Sequence, residues 1–306
     1  MGMTSHAELP VEIDPGVGFS VRAARGAGVG RGRLQNASLA APVYGMRIDA
    51  ATQVTRIDRC RLLLGRLEPP VYLSHRTAAE IWRLQLPVAL DDPIHLSVLA
   101  PRRAPHAAGI RGHQLRLRPG DVATVDGLPV TTPVRTWLDL GADGASVEEL
   151  VIAGDRIVHR RSPLAGLGDL VRRTNGWRGR GGARLRAALP LLDPGSDSSP
   201  ETRVRLAMAA RGFPQPVTQH RVLDGAGGFV AVSDLAFPAF LVACEYEGDH
   251  HRSDPRQWSS DLARFNRYTA AGWAAFRLSA TDLAALGEAL DLVEHALRAR
   301  GWHGPR

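Results

Sequence analysis

Lysine is absent from the 306-residue chain, so all 38 basic side chains are arginine. That bias is not in itself a nucleic-acid signal, but it leaves no ammonium group for any catalytic task. Cysteine is nearly absent too: Cys60 and Cys244 lie far apart and outside any CxxC spacing. Neither a disulfide framework nor a structural zinc site is therefore expected. No apolar run approaches the eighteen or so residues that a membrane span requires. Residues 1–16 have neither the basic nor the apolar region of a secretory signal, so a cytoplasmic address is the expectation. No internal repeat and no P-loop occurs, and the scattered glycines do not form GxGxxG behind a strand.

What is present suits a globular protein, with 44% hydrophobic and 23% charged residues and length for two domains. The formal charge of +7 is unevenly placed. Residues 196–306 hold 12 Arg against 13 acids, a net −1, and residues 1–195 hold 26 Arg against 18 acids, a net +8. A basic N-terminal part suits a polyanion; an arginine-rich solvated surface is the alternative.

The pattern divides the chain into four. Residues 1–40, rich in Gly, Ala and Arg without a lasting period, are expected to form a poorly ordered leader. Residues 41–161 alternate helical spacing ("CRLLLGRLE", "YLSHRTAAEIWRL" with Ser74 as N-cap) with short strands ("PIHLSVLA", "HQLRLRP", "GLPVTTPVR"), which predicts a small α+β module. Within it Thr131, Thr132 and Arg135 fit a helix cap and first turn. Residues 162–195 form an Arg/Gly-rich helical linker. Arg172, Arg173, Arg178, Arg180 and Arg184 are its candidates for gripping a phosphate backbone, a soluble hinge being the alternative.

The plan is clearest over residues 196–306. "SPETRVRLAMAARG" predicts a helix closed by Gly212. Strands "PVTQHRVL", "FVAVSDLAF" and "AFLVACEY" follow, then a polar helix over about 254–271, the strand "WAAFRL" and a last helix. Strand alternation puts Asp234 on one face of the second strand, and Glu245 and Glu247 on one face of the third. Antiparallel pairing through Phe237–Phe240 would bring Asp234 and Glu245 together. Two half-buried carboxylates raise each other's pKa unless a cation lies between them. Mg²⁺, with Mn²⁺ as a substitute, accepts a pair of carboxylates and keeps waters for a phosphate substrate.

Asp234 followed after ten residues by Glu245-Tyr246-Glu247 resembles the PD-(D/E)XK nuclease signature. The wording "SDLAFPAFLVACEYEGDHH…DLARFNRYTAAGWAAFRL" is similar to the branch related to very-short-patch-repair endonucleases, over roughly residues 196–300. The resemblance implies a fold of the α/β (α+β) class. It would have a restriction-endonuclease-like α-β-β-β-α-β core at the C-terminus and a smaller α+β module before it. It also implies that Asp234 and Glu245 are metal ligands, the latter with the Tyr246 carbonyl. Glu247 stands where the wider superfamily has lysine, and the branch resembled commonly has a carboxylate there. His250 or His251 is then a candidate to activate water, or else part of an exposed turn. Gln219 either orients a ligand or bonds locally. Glu201 either assists the metal or closes a capping box with Ser198. Asp261 and Arg264 are expected to pair with each other or to contact DNA, and Trp273 and Phe276 to lie in the core.

Residues 43–160 ("VYGMRID", "YLSHRTAAEIWRLQLP", "IHLSVLAP", "GLPVTTPVRTWLDLG") resemble the region found in AbiEi-type antitoxins. Such proteins usually begin with a winged helix-turn-helix, which residues 1–40 do not visibly supply. The combined expectation is a metal-dependent DNA endonuclease or nicking enzyme, in repair or phage defence, with DNA as its partner. The alternative is a non-catalytic DNA-binding regulator with a degenerate nuclease domain, acting beside a toxin or regulatory partner.

Overall fold

The computed structural model describes residues 9–89, 92–247 and 255–304, with residues 255–262 described by their backbone alone. The protein is α+β and divides into two compact units, residues 1–82 with 87–136, and residues 83–86 with 137–306. Among the described residues no helix is long and apolar enough to cross a membrane.

The first unit starts with β1 (Phe19–Ser20), α1 (Val21–Gly26), α2 (Arg31–Leu34), β2 (Leu39–Ala40) and β3 (Met46–Asp49). This corrects the expectation of a poorly ordered leader, of which residues 1–8 alone lie outside the described residues. Ser20 caps α1 by accepting from the amide of Ala23, and Ile13, Phe19, Ala24, Val29 and Leu34 close a small core of their own. Their spacing of five to six residues matches neither the helical nor the strand period, which hides this core from a search for either. The strands pair in the order β1-β3-β2, a three-stranded sheet, and the single-turn α2 follows α1 as a short helix-turn-helix between β1 and β2 in the chain.

The rest of this unit is built on a five-stranded sheet. After α3 (Arg56–Arg66), started by a Thr55–Asp58 capping box, come β4 (Val71–Leu73), α4 (His75–Ile81), β5 (Ile94–Leu99), β6 (Ile110–Leu115), β7 (Val122–Val125) and β8 (Leu128–Thr131). The strand order is β6-β5-β4-β8-β7. Val71, Leu73, Ile94, Leu96, Val98, Leu128 and Val130 alternate onto one face and bury Cys60 and Leu63 of α3 and Ala78 of α4. Arg135 is buried as expected of a structural residue, donating to the Arg116 carbonyl and pairing with the fully buried Asp121 at 3.2 Å.

Helix α5 (Pro133–Asp143) carries the chain into the second unit, where α6 (Val147–Val158), α7 (Leu167–Asn175) and α8 (Gly182–Ala188) follow. The sequence put a boundary near 161 and a linker up to 195, but these helices belong to the same compact unit as the C-terminal segment. One buried acid explains why. Asp155 of α6 accepts from the amide of Asp193, the hydroxyl of Thr202 and the guanidinium of Arg205, at 2.7, 2.8 and 2.8 Å. The expected hinge is thus tied to the helices on both sides of it. Arg172, Arg178, Arg180 and Arg184 are exposed and Arg173 is half-buried. Arg172 pairs with Asp169, and Arg184 reaches the carbonyls of Gly141 and Gly144.

Packing around α8 requires a glycine. Gly181 precedes the helix at φ +74°, and a Cβ there would lie 1.9 Å from the carbonyl oxygen of Gly141. Gly181→Ala is expected to cost about 2–4 kcal/mol, since backbone would meet backbone at a left-handed position. A urea midpoint within error of the wild type would contradict this close approach.

The remaining elements are α9 (Ser199–Ala210), β9 (Val217–Leu223), β10 (Phe229–Phe237), β11 (Val242–Glu247), α10 (Pro255–Ala270), β12 (Ala274–Ser279), α11 (Ala280–Ala284) and α12 (Leu286–Ala299). The order α-β-β-β-α-β read from the sequence is the order found. The sheet runs β12-β11-β10-β9, with β9, β10 and β11 antiparallel and β12 parallel to β11. Leu235, Phe237, Val242, Cys244 and Leu278 face a core completed by Val204 and Met208 of α9 and by Leu290, Val293 and Leu297 of α12. Ala236 and Ala243 face the other way, toward Tyr268 and Trp273. Trp273 is buried and Phe276 packs against the larger cluster, as expected of core residues. Both cysteines are free and buried.

Candidate functional site

Ladder pairing between β10 and β11 runs from Phe237↔Val242 to Leu235↔Cys244. At the next step the Asp234 side chain takes over the role of backbone: its Oδ2 accepts from the amide of Tyr246 at 2.8 Å. On the neighbouring strand Gln219 adopts φ +48°, outside the usual strand conformation. Its amide Nε2 donates to Asp234 Oδ1 and to Glu201 Oε2, 3.3 Å each. Gln219 therefore links two carboxylates by local bonds, the second of the two roles the sequence left open for it.

Glu201 bonds locally at the start of α9. As a capping residue it accepts from the Ser198 hydroxyl at 2.8 Å and from the amide of Asp197 at 3.0 Å. It also stands near enough to Asp234 to feel its charge. Burial first, and that charge second, push the Glu201 carboxyl up to about 7. A small crevice is lined by Glu201, Asp234, Glu245 and Tyr246.

Glu245 is 4% exposed, and each of its oxygens has a donor. The Tyr268 hydroxyl donates to Oε1 at 2.6 Å, and Arg264 Nη2 lies 2.8 Å from Oε2. Burial raises the carboxyls of both Glu245 and Asp234 above their ordinary values, outweighing the donors on each. Glu247 pairs with Arg277 and, at 3.8 Å, with Arg264. The Phe265 ring lies under both cations, 4.8 Å from the Arg277 guanidinium and 6.0 Å from that of Arg264.

The charge puzzle of "FVAVSDLAFPAFLVACEYEGDHH" thus has a protein-internal answer that the sequence reading lacked. Arg264 and Arg277 supply positive charge at Glu245 and Glu247. Arg264 was expected to pair with Asp261, whose side chain lies outside the described residues, or to contact DNA; among the described residues it pairs with the two glutamates. Tyr268 and Arg277 were missed. A signal for the first existed: Arg264 and Tyr268 are four residues apart and share one helix face. Arg277 lies opposite Glu245 on the parallel strand, a register no local pattern reveals. His250 and His251 lie outside the described residues.

The donors fit a hard cation. Asp234, Glu245 and Glu201 offer carboxylate oxygens with unused lone pairs, and Mg²⁺ needs only one or two carboxylates because it keeps its waters. Raised pKa values at neighbouring acids are the expected sign of charge that such an ion would relieve. The three do not converge as tightly as another group does. Among the described residues, the cluster with three ligand atoms within 4.8 Å of one another is His75, His95 and His113, in the first unit. Cysteine counting could not reveal it.

No family model matches the chain. Two curated proteins, both named as uncharacterized, are similar to part of it, one from Mycobacterium tuberculosis strain CDC 1551 / Oshkosh and one from strain H37Rv. Each is 30% identical over 104 residues, which is 34% of this chain and 38% of the relative. The chain thus spans well under half the length of these relatives.

Proposed function

We propose that the C-terminal unit is a Mg²⁺-dependent phosphodiesterase acting on DNA, a nuclease or nicking enzyme of the cytoplasm. The observation that carries this reading is the carboxylate line Glu201–Gln219–Asp234, beside Glu245, at the end of the β10–β11 ladder. Asp234 and Glu245 would hold the ion, with the Tyr246 carbonyl as the third donor that the family resemblance implies. A divalent ion there supplies a bound water of lowered pKa and charge to match a phosphate under attack. The chain's own residues do the rest. Gln219 orients Asp234 and Glu201 through one amide, and Tyr268 fixes the rotamer of Glu245. Glu201, held at about 7, can keep a proton near neutral pH. Exposed Arg172, Arg178, Arg180 and Arg184 offer phosphate contacts.

The test is nicking of supercoiled DNA with Mg²⁺ or Mn²⁺ by the wild type, Asp234→Asn and Glu245→Gln. A wild type that leaves DNA intact and binds neither ion overturns the reading.

A second reading, a DNA-binding regulator without catalysis, draws on two observations. Both oxygens of Glu245 are engaged by Tyr268 and Arg264, and residues 19–49 supply a short helix-turn-helix with Arg31 and Arg33 on its second helix. It predicts salt-sensitive, sequence-specific DNA binding that Asp234→Asn leaves unchanged.

A further inference from the structure

Three imidazoles meet in the first unit from three separate elements. His75 opens α4 just after β4, His95 lies on β5 and His113 on β6. Parallel register sets Ser97 opposite His113 and His95 opposite Arg111, so alternation turns His95, Ser97 and His113 to the face opposite the apolar one. His113 Nε2 lies 3.1 Å from His95 Nδ1, and one ring nitrogen from each histidine falls within 4.8 Å of the other two. Tetrahedral zinc with nitrogen ligands spaces those atoms about 3.3 Å apart, as two bonds of roughly 2.05 Å require. One pair already stands at that distance. The third ring, stacked on that of His113 with centroids 3.6 Å apart, has its nitrogen within 4.8 Å of the other two.

A set of supporting contacts holds the rings. His75 Nδ1 is 2.8 Å from Ser74 Oγ, which in turn lies 2.5 Å from Ser97 Oγ. With Nδ1 donating to that serine, Nε2 of His75 keeps its lone pair, the outer-shell arrangement typical of a metal-bound histidine. Ser74 is thereby taken from the task the sequence gave it, for it makes no side-chain cap to α4. The backbone of His95 is pinned from both sides: its amide donates to Thr77 Oγ1 at 2.9 Å and its carbonyl accepts from Ser74 N at 3.2 Å. His75 itself sits at φ +51°, an uncommon conformation for a residue with a Cβ.

We infer that His75, His95 and His113 form a three-histidine site for a borderline transition metal, Zn²⁺ first, with a fourth position open to water or an anion. Imidazole donors suit Zn²⁺, Cu²⁺ or Ni²⁺ and not Mg²⁺, so this site is independent of the carboxylates of the second unit. Burial, helped by the neighbouring charges, keeps the imidazolium forms down at about 2 for His75, 3 for His95 and 4 for His113, so all three rings are in the ligating state at neutral pH. The charged groups acting on the cluster are cationic, Arg111 on all three rings, with Arg135 on His75 and Arg76 and Arg56 on His95. These cations oppose a bound dication, a cost that an anionic fourth ligand, hydroxide, phosphate or a carboxylate, would offset. His113 and the exposed Arg111 mark the solvent side from which it would arrive.

The experiment uses the full chain, stripped with chelator and then titrated with Zn²⁺, and with Co²⁺ as a coloured probe. One equivalent of zinc is expected to survive gel filtration, with a Tm rise of about 5 °C at a hundredfold excess over Kd. Co²⁺ is expected to give the intense visible bands of a tetrahedral site. His95→Gln and His113→Gln should each weaken binding ~100-fold or more, whereas His295→Gln, at an exposed histidine outside the cluster, leaves it unchanged. Wild type that retains no zinc and shows neither Tm rise nor cobalt bands overturns the inference. Binding that persists in both histidine variants overturns it equally, by placing the metal elsewhere. Should those variants fail to fold, the wild-type stoichiometry and cobalt spectrum still decide.

Discussion

Asp155→Ala is expected to destabilise the second unit by about 3–5 kcal/mol, the usual cost of removing one partner from a buried ion pair. Its side chain is 3% exposed and that of Arg205 11%, so water does not replace the lost contact. The guanidinium would keep the Leu191 carbonyl at 2.8 Å but lose the Asp155 carboxylate, the amide of Asp193 would lose its acceptor, and the Thr202 hydroxyl would keep only its longer contact to the Ser198 carbonyl and its contact with Ser196. The double variant Asp155→Leu/Arg205→Met is expected to recover most of the loss, because it also removes both desolvation costs. Urea unfolding at pH 7 measures this, and a single variant within 1 kcal/mol of wild type would falsify the account.

The same carboxylate gives a pH dependence of defined sign. Burial outweighs Arg205 and the other donors, holding Asp155 at about 6 against an ordinary 3.8. Between those values the folded chain keeps a proton that the unfolded chain has released. This group's contribution to stability therefore falls as pH rises from about 4 to 6, by roughly 3 kcal/mol in all. The double variant should lose that slope, which unfolding midpoints measured across the window would show.

How much of this was legible in the sequence depended on the distance over which each feature is encoded. Caps and strand alternation act within a few residues, and they located α9, the β9–β11 strands and the pairing that brings Asp234 beside Tyr246. The short core of residues 13–34 escaped because Phe19, Ala24, Val29 and Leu34 recur every five residues, a spacing that fits neither a helix nor a strand. The domain boundary was misplaced because "DPGSDSSP" looks like a hinge locally, whereas Asp155, some forty residues earlier, holds it. Arg277 meets Glu247 through a parallel crossover, and the three histidines are 20 and 18 residues apart, too far for any motif. Sequence reasoning supplied the carboxylates but assigned their neutralisation to a metal alone; packing shows arginines there as well.

That sharing of charge makes Asp234→Asn the most discriminating change in the catalytic reading. Asparagine keeps the size of the side chain and can still accept from the amide of Tyr246, so the end of the β10–β11 ladder should hold and the Tm should move little. The charge that a divalent ion needs would be gone, and several kcal/mol of transition-state stabilisation with it. Nicking is thus expected to fall by about 10³-fold, the equivalent of ~4 kcal/mol. Arg264→Met should act in the opposite direction on metal affinity. Arg264 stands 2.8 Å from Glu245 Oε2, so its charge opposes any cation bound there. Removing it should tighten Mn²⁺ binding by about tenfold or more, since even at an effective dielectric of 20 a neighbouring unit charge is worth more than 1 kcal/mol. Calorimetric titration of both variants separates the two roles. If Asp234→Asn nicks at the wild-type rate, or Arg264→Met binds Mn²⁺ no better, then the arginines alone neutralise these carboxylates and the regulator reading takes over.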